Sequence, residues 1–167
     1  MNEENEVYEE NEVYEENEVN EDYEENEVSE ENNMFEEDEA VNVPRRKKVV
    51  AVDDSNVVLK TIKNVLGDDY ELHAFSNGSR ALEYLEQPDK APDLIILDIE
   101  MPIVSGYDIL KRVKKLFHLR NVPVIFLTSN NLKQQVMKAV NDGVKAYVVK
   151  PVDKEVLLNK LQSLLED

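Results

Sequence analysis

The sequence of 167 residues contains no cysteine. Disulfides, zinc ribbons, thiolate clusters and cysteine nucleophiles are therefore excluded. It also lacks any apolar run of the roughly 18 residues that a membrane-spanning helix needs, so no membrane insertion is expected. Its start, Met1-Asn2-Glu3-Glu4, has neither the basic nor the apolar region of a signal peptide, and the cytoplasm is the expected location. The third absence is local. Residues 1–43 hold 20 acidic side chains and not one Lys or Arg. The formal charge of −18 argues against nucleic acid and anionic membranes as partners.

That charge is unevenly distributed. Residues 44–167 carry the remaining 17 acids and all 19 bases, a net of +2. The acidic stretch repeats Asn-Glu-Val at positions 5, 11, 17 and 26, spacings of 6, 6 and 9 that match neither a helical period nor a heptad. High charge with scattered apolar residues cannot offset the entropy of ordering, so 1–43 is expected to be a disordered acidic repeat tail. Pro44 and the run Arg45-Arg46-Lys47-Lys48 mark the boundary. The remaining length, residues 44–167, suffices for one domain with its own core.

Within 44–167, short apolar runs alternate with helical patterns. Val49–Val52, Tyr70–Phe75, Leu94–Leu97, Val122–Leu127 and Ala146–Val149 read as five strands. Between them, Ser55 caps a helix carrying Val58, Ile62, Val65 and Leu66, and Ser76 caps one carrying Ala81, Leu82 and Leu85. Tyr107, Leu110, Val113 and Phe117 form a third helical stripe, and Val136, Ala139 and Val140 a fourth, stopped by Asp142-Gly143. Val156, Leu157, Lys160, Leu161 and Leu164 form a last one, with Asp153 near its start. Five strand–helix units with short connections predict an α/β fold, a five-stranded parallel sheet with helices on both faces. Such sheets place working residues at the carboxyl ends of their strands.

The predicted strand ends carry Asp53-Asp54, Asp98, Thr128-Ser129 and Lys150-Pro151. Two carboxylates about 5 Å apart repel by roughly 3 kcal/mol at an effective dielectric of 20. Three together need a cation or raised pKa values. Lys150 supplies one positive charge, and a hard divalent ion, Mg²⁺, suits oxygen ligands. A carboxylate beside Mg²⁺, an ammonium and a hydroxyl is placed to attack phosphorus. His73 and His118 fall outside this set and read as structural or exposed.

Taken together, Val-Ala-Val-Asp-Asp-Ser (50–55), Leu-Asp-Ile-Glu-Met-Pro (97–102) with Ser105-Gly106, Leu-Thr-Ser (127–129) and Ala-Tyr-Val-Val-Lys-Pro (146–151) resemble the receiver domain of response regulators, the CheY-like type. The resemblance runs from about Lys47 to Leu165. It implies a flavodoxin-like fold and a two-component role. Asp98 would accept a phosphoryl group from a sensor histidine kinase. Asp53, Asp54, Asp98 and the backbone carbonyl of Glu100 would hold Mg²⁺. Lys150 would pair with the phosphoryl group, Thr128 would move towards it, and Tyr147 would change rotamer in response. Glu100 and Asn130 would tune the lifetime of the acyl phosphate, and Pro151 would follow a cis peptide bond. Output would pass to a downstream protein through the face formed by the fourth predicted helix, the fifth strand and the last helix. No effector domain is expected after the last helix, hence no nucleic-acid output. Two routes stay open, a chemotaxis-type switch and a phosphorelay step to a histidine-phosphotransfer protein. The protein is thus expected to be a switch with intrinsic autophosphorylation and autodephosphorylation rather than an enzyme. A haloacid-dehalogenase-like phosphatase uses similar groups, but its nucleophile precedes the acidic pair, and here Asp53-Asp54 precede Asp98.

Overall fold

The computed structural model describes residues 44–129, 138 and 140–166. The tail 1–43, Asn130, Val136 and Ala139 lie outside them. The elements in chain order are β1 (Lys47–Val52), α1 (Asn56–Leu66), β2 (Tyr70–Phe75), α2 (Gly78–Leu85), β3 (Leu94–Asp98), α3 (Gly106–Lys115), β4 (Val124–Thr128), β5 (Ala146–Val149) and α4 (Lys154–Leu165). A short 3₁₀ turn at Pro88–Lys90 precedes β3. Of the helix expected around 136–140, Lys138, Val140 and Asn141 are helical, and Gly143 follows with φ 93°.

All strand pairs are parallel, in the order β2-β1-β3-β4-β5. Every residue of β3 and β4 is buried, as expected for strands covered on both faces. The period-2 alternation of a strand then divides the core in two. Val50, Val52, Ile95, Leu97 and Phe126 face α2 and α3, while Val49, Ala51, Ile96, Ile125 and Val148 face α1 and α4.

Local sequence accounts for most helix starts. Ser55 Oγ accepts from Val58 N, and Asp153 Oδ1 from Val156 N. Ser105 and Asp108 form a reciprocal capping box at α3. The structure corrects three expectations. The cap of α2 is Asn77, whose Oδ1 accepts from Ser79 and Arg80 N–H, rather than Ser76. Asn is as good a cap as Ser, so the choice falls to the position where Gly78 can pack against Val104. Phe117 leaves the α3 stripe because the helix ends at Lys115, and it is exposed with the Arg120 guanidinium 4.5 Å from its ring centre. β1 begins at Lys47, two residues before the apolar run, because Asp93 anchors that end. Asp93 accepts from Lys48 N at 2.7 Å and pairs with Arg45 at 3.0 Å.

Candidate functional site

The carboxyl ends of β1, β3, β4 and β5 bring the expected groups together. Asp53 follows β1 and is fully buried. Its Oδ1 accepts from Ser55 N at 2.8 Å, an Asx turn that both aims the carboxylate and leads into α1. Asp54 beside it is exposed. Asp98 ends β3 and is 2% exposed. Gly106 packs so closely that an added Cβ would lie 2.2 Å from the Asp98 carbonyl oxygen, so no other residue fits there without moving the loop.

Lys150 reaches back from the end of β5 and bridges two carboxylates. Its Nζ lies 2.7 Å from Asp53 Oδ2 and 3.2 Å from Asp98 Oδ1. The Lys150–Pro151 peptide bond is cis. Burial alone would pull the ammonium down, but hydrogen bonding and charge from Asp53 and Asp98 outweigh it and hold Lys150 above its ordinary value. Asp98 is pushed the other way for a carboxyl. Burial and then the Asp53 charge raise it, against the pull of Lys150 and of the Glu100 N–H at 3.3 Å. One ammonium thus compensates two buried carboxylates only in part.

The remaining charge defines what the site can hold. Asp53, Asp54 and Asp98 offer carboxylate oxygens within 4.8 Å of one another. Asp53 Oδ2 is buried and, apart from its ion pair with Lys150, has no aligned hydrogen-bond partner. A compact, oxygen-only donor set whose charge one ammonium offsets only in part fits a hard divalent cation such as Mg²⁺.

Thr128 is buried at the end of β4. Ser129, which the sequence had placed at the strand end without a role, donates from Oγ to Glu100 Oε2 at 3.5 Å. Tyr147 stands apart from this cluster. It is in register with Phe126, two rungs before the Thr128–Val149 pair, is 40% exposed, and has Lys160 Nζ 5.7 Å from its ring centre. The histidines are elsewhere. His73 pairs with Glu71 at 2.7 Å, and His118 Nε2 meets the Leu85 carbonyl at 2.9 Å.

Fold and site together define a phosphoacceptor-type α/β domain, and the family follows from comparison. The response regulator receiver domain family matches residues 49–162, and the chain belongs to it. It is 37% identical over 117 residues to the sensor histidine kinase CheAY of Helicobacter pylori, covering 70% of this chain and 15% of that protein. It is 34% identical over 144 residues to the two-component response regulator ORR4 of Oryza sativa subsp. indica, covering 75% of this chain and 62% of that one. Less than two thirds of either relative is therefore spanned. The chemotaxis protein CheY4 of Vibrio cholerae superposes with a TM-score of 0.67 at 30% identity, covering 72% of this chain and all of that one. Receiver domains are phosphoacceptor switches that work with histidine kinases and bind Mg²⁺ in an acidic pocket. Among the described residues, no helix is long and apolar enough to cross a membrane.

Proposed function

We propose that residues 44–167 form a receiver domain that accepts a phosphoryl group on Asp98 from the phosphohistidine of a sensor histidine kinase. The observation that carries this reading is the Lys150 bridge, 2.7 Å from Asp53 and 3.2 Å from Asp98. It puts a fixed cation beside a carboxylate whose charge is otherwise uncompensated. Asp98 Oδ1 is engaged by Lys150 and the Glu100 N–H, which leaves Oδ2 for attack. The Oδ2–P bond forms as the P–N bond to imidazole breaks, and the bond's electron pair returns to the ring nitrogen.

Lys150 stays beside the transferring group and neutralises its charge, and the Thr128 hydroxyl donates to it. Asp53, Asp54, Asp98 and the Glu100 carbonyl would hold Mg²⁺, which would supply further charge neutralisation at the site. The acyl phosphate draws Thr128 inward, Tyr147 turns from its exposed position, and the surface around β5 and α4 changes its preference for a downstream protein. That is a two-state population shift biased by one local charge. Glu100 and Asn130 adjust the rate of hydrolysis, by which the domain returns to rest, and small phosphodonors drive its autophosphorylation.

The test is incubation with radiolabelled acetyl phosphate and Mg²⁺. The wild type incorporates label at Asp98 and loses it to hydroxylamine, as an acyl phosphate does. Asp98→Asn and Asp98→Ala incorporate none, and stoichiometric labelling of either would sink the assignment.

A further inference from the structure

Lys114 and Lys150 are both half-buried lysines, in opposite surroundings. Lys150 stands beside two carboxylates, which hold it as an ammonium. Lys114, in the last turn of α3, has no such partner. Among the described residues, none of the ion pairs includes it. Its Nζ donates to the Arg120 carbonyl at 3.3 Å, a bond that a neutral amine makes as well as an ammonium. Its stem passes Gly143, where an added Cβ would lie 3.4 Å from Lys114 Cε. Burial, and then the charge of Lys145, hold the Lys114 amine below its ordinary value.

The amine lines a groove of about 280 Å³ together with Tyr107, Leu110, Lys111, Lys115 and Asp142. Three of those six residues are lysines and one is an acid. Two more cations stand close by. Lys138 Nζ lies 5.1 Å from the Tyr107 ring centre, and Lys145 is near enough to repel Lys114. A groove with that excess of cations raises the local concentration of small anions. A lysine that is desolvated and crowded by another cation is also the kind that reacts as a free amine. Tyr107 and Leu110 add apolar surface for a short carbon chain. An anionic, acyl-bearing small molecule suits all three properties at once.

We propose that Lys114 is a modification site that takes an acyl group from a small acyl phosphate. The Lys114 Nζ lone pair attacks the carbonyl carbon of the donor. The N–C bond forms as the C–O bond to phosphate breaks. Phosphate leaves with that electron pair, and the proton released from nitrogen passes to it through water. Lys111 and Lys115 hold the phosphate end by charge. The product is a neutral amide, so the groove loses one cation and Lys145 loses its like-charged neighbour.

The test uses the full-length protein and acetyl phosphate in EDTA, which removes the metal ion that phosphorylation of Asp98 needs. Acetylation of each lysine is followed in time by peptide mass spectrometry. Lys60 and Lys63, exposed on α1, serve as internal references. Lys114 should be acetylated about tenfold faster than either. Lys145→Gln keeps an exposed, polar side chain and should cut that lead by roughly threefold, with an unchanged circular dichroism spectrum. Acetic anhydride, an uncharged acyl donor, should still favour Lys114, but by a smaller factor, since only the reactivity of the amine then counts.

Lys114 reacting with acetyl phosphate no faster than Lys60 and Lys63 overturns the proposal. A lead that Lys145→Gln leaves intact overturns it too, because the neighbouring charge is what sets the amine apart. A preference for Lys114 with acetic anhydride that is absent with acetyl phosphate would show a reactive lysine without an acyl phosphate site, and the proposal would fall. Each of these results is independent of Asp98 as phosphoryl acceptor.

Discussion

Lys150 carries more than its own charge. It faces two carboxylates that are almost wholly buried, and removing one partner of such a set leaves uncompensated charge in the interior. Lys150→Ala should therefore lower stability on the order of 3 kcal/mol, measured by urea unfolding, with part of the loss recovered by millimolar Mg²⁺. Asp98 works in the opposite sense. Its carboxyl is raised, so in metal-free protein the fold favours the protonated form. Stability is then greater at a pH below its folded-state value and declines as pH rises from the unfolded carboxyl value through the folded one. Asp98→Asn should remove that decline and leave the metal-free fold more stable than wild type near neutral pH, read by urea unfolding. Mg²⁺ reverses the cost by binding the ionised form, so it should raise the melting temperature of wild type. The increment should fade on acidification through a pH above the ordinary carboxylate range, as protons compete for Asp98. A Mg²⁺ increment independent of pH would contradict the raised carboxyl.

The elements decide how tightly those residues are placed. Asp53 follows the buried stretch Val49–Val52 and Asp98 ends a strand whose every residue is buried, which fixes both backbones. The loop after β3 is closed by Gly106, which lies against the Asp98 carbonyl where a Cβ would come within 2.2 Å. Gly106→Ala should cost about 2 kcal/mol or more by overpacking and should lower acetyl phosphate labelling, because the shift falls on Asp98 itself. A calorimetric midpoint equal to wild type would show that the loop can yield. At this scale the sequence was legible where apolar runs were long. β3, buried along its whole length, begins where its unbroken apolar run does, and the edge strands β2 and β5 have the ends that their patterns predict although they are only partly buried. It was less legible where a side chain elsewhere sets the boundary. Asp93 extends β1 by pairing with Lys48 N, and nothing in the run Lys47-Lys48 announces that. Phe117 fits the helical spacing but falls past the last turn of α3, where periodicity no longer applies.

For the whole molecule, the net negative charge and the candidate site belong to different parts of the chain. Residues 1–43 carry −20 and the part that bears the site +2, which together make the −18. All groups of the proposed phosphoryl site lie after residue 44. Residues 44–167 produced alone should therefore fold with the same circular dichroism per domain residue and label on Asp98 with acetyl phosphate at the full-length rate. A truncated protein that aggregates or fails to label would move the domain boundary into the tail.

The sequence alone determined the class of the fold and which candidate residues stand at the strand ends. Strand burial writes itself as apolar runs, and a parallel sheet has its working edge where those runs stop, so Asp53, Asp54, Asp98, Thr128 and Lys150 could be read in order. Only the tertiary structure decided how they relate. Lys150 is far from Asp53 in the chain, and its bridge to both buried carboxylates depends on the β2-β1-β3-β4-β5 order that sets β3 between β1 and β4. It also placed Tyr147 partly exposed beside Lys160 and held Ile103 at positive φ in the loop after β3. Those are consequences of packing between distant segments, which no local pattern of residues encodes.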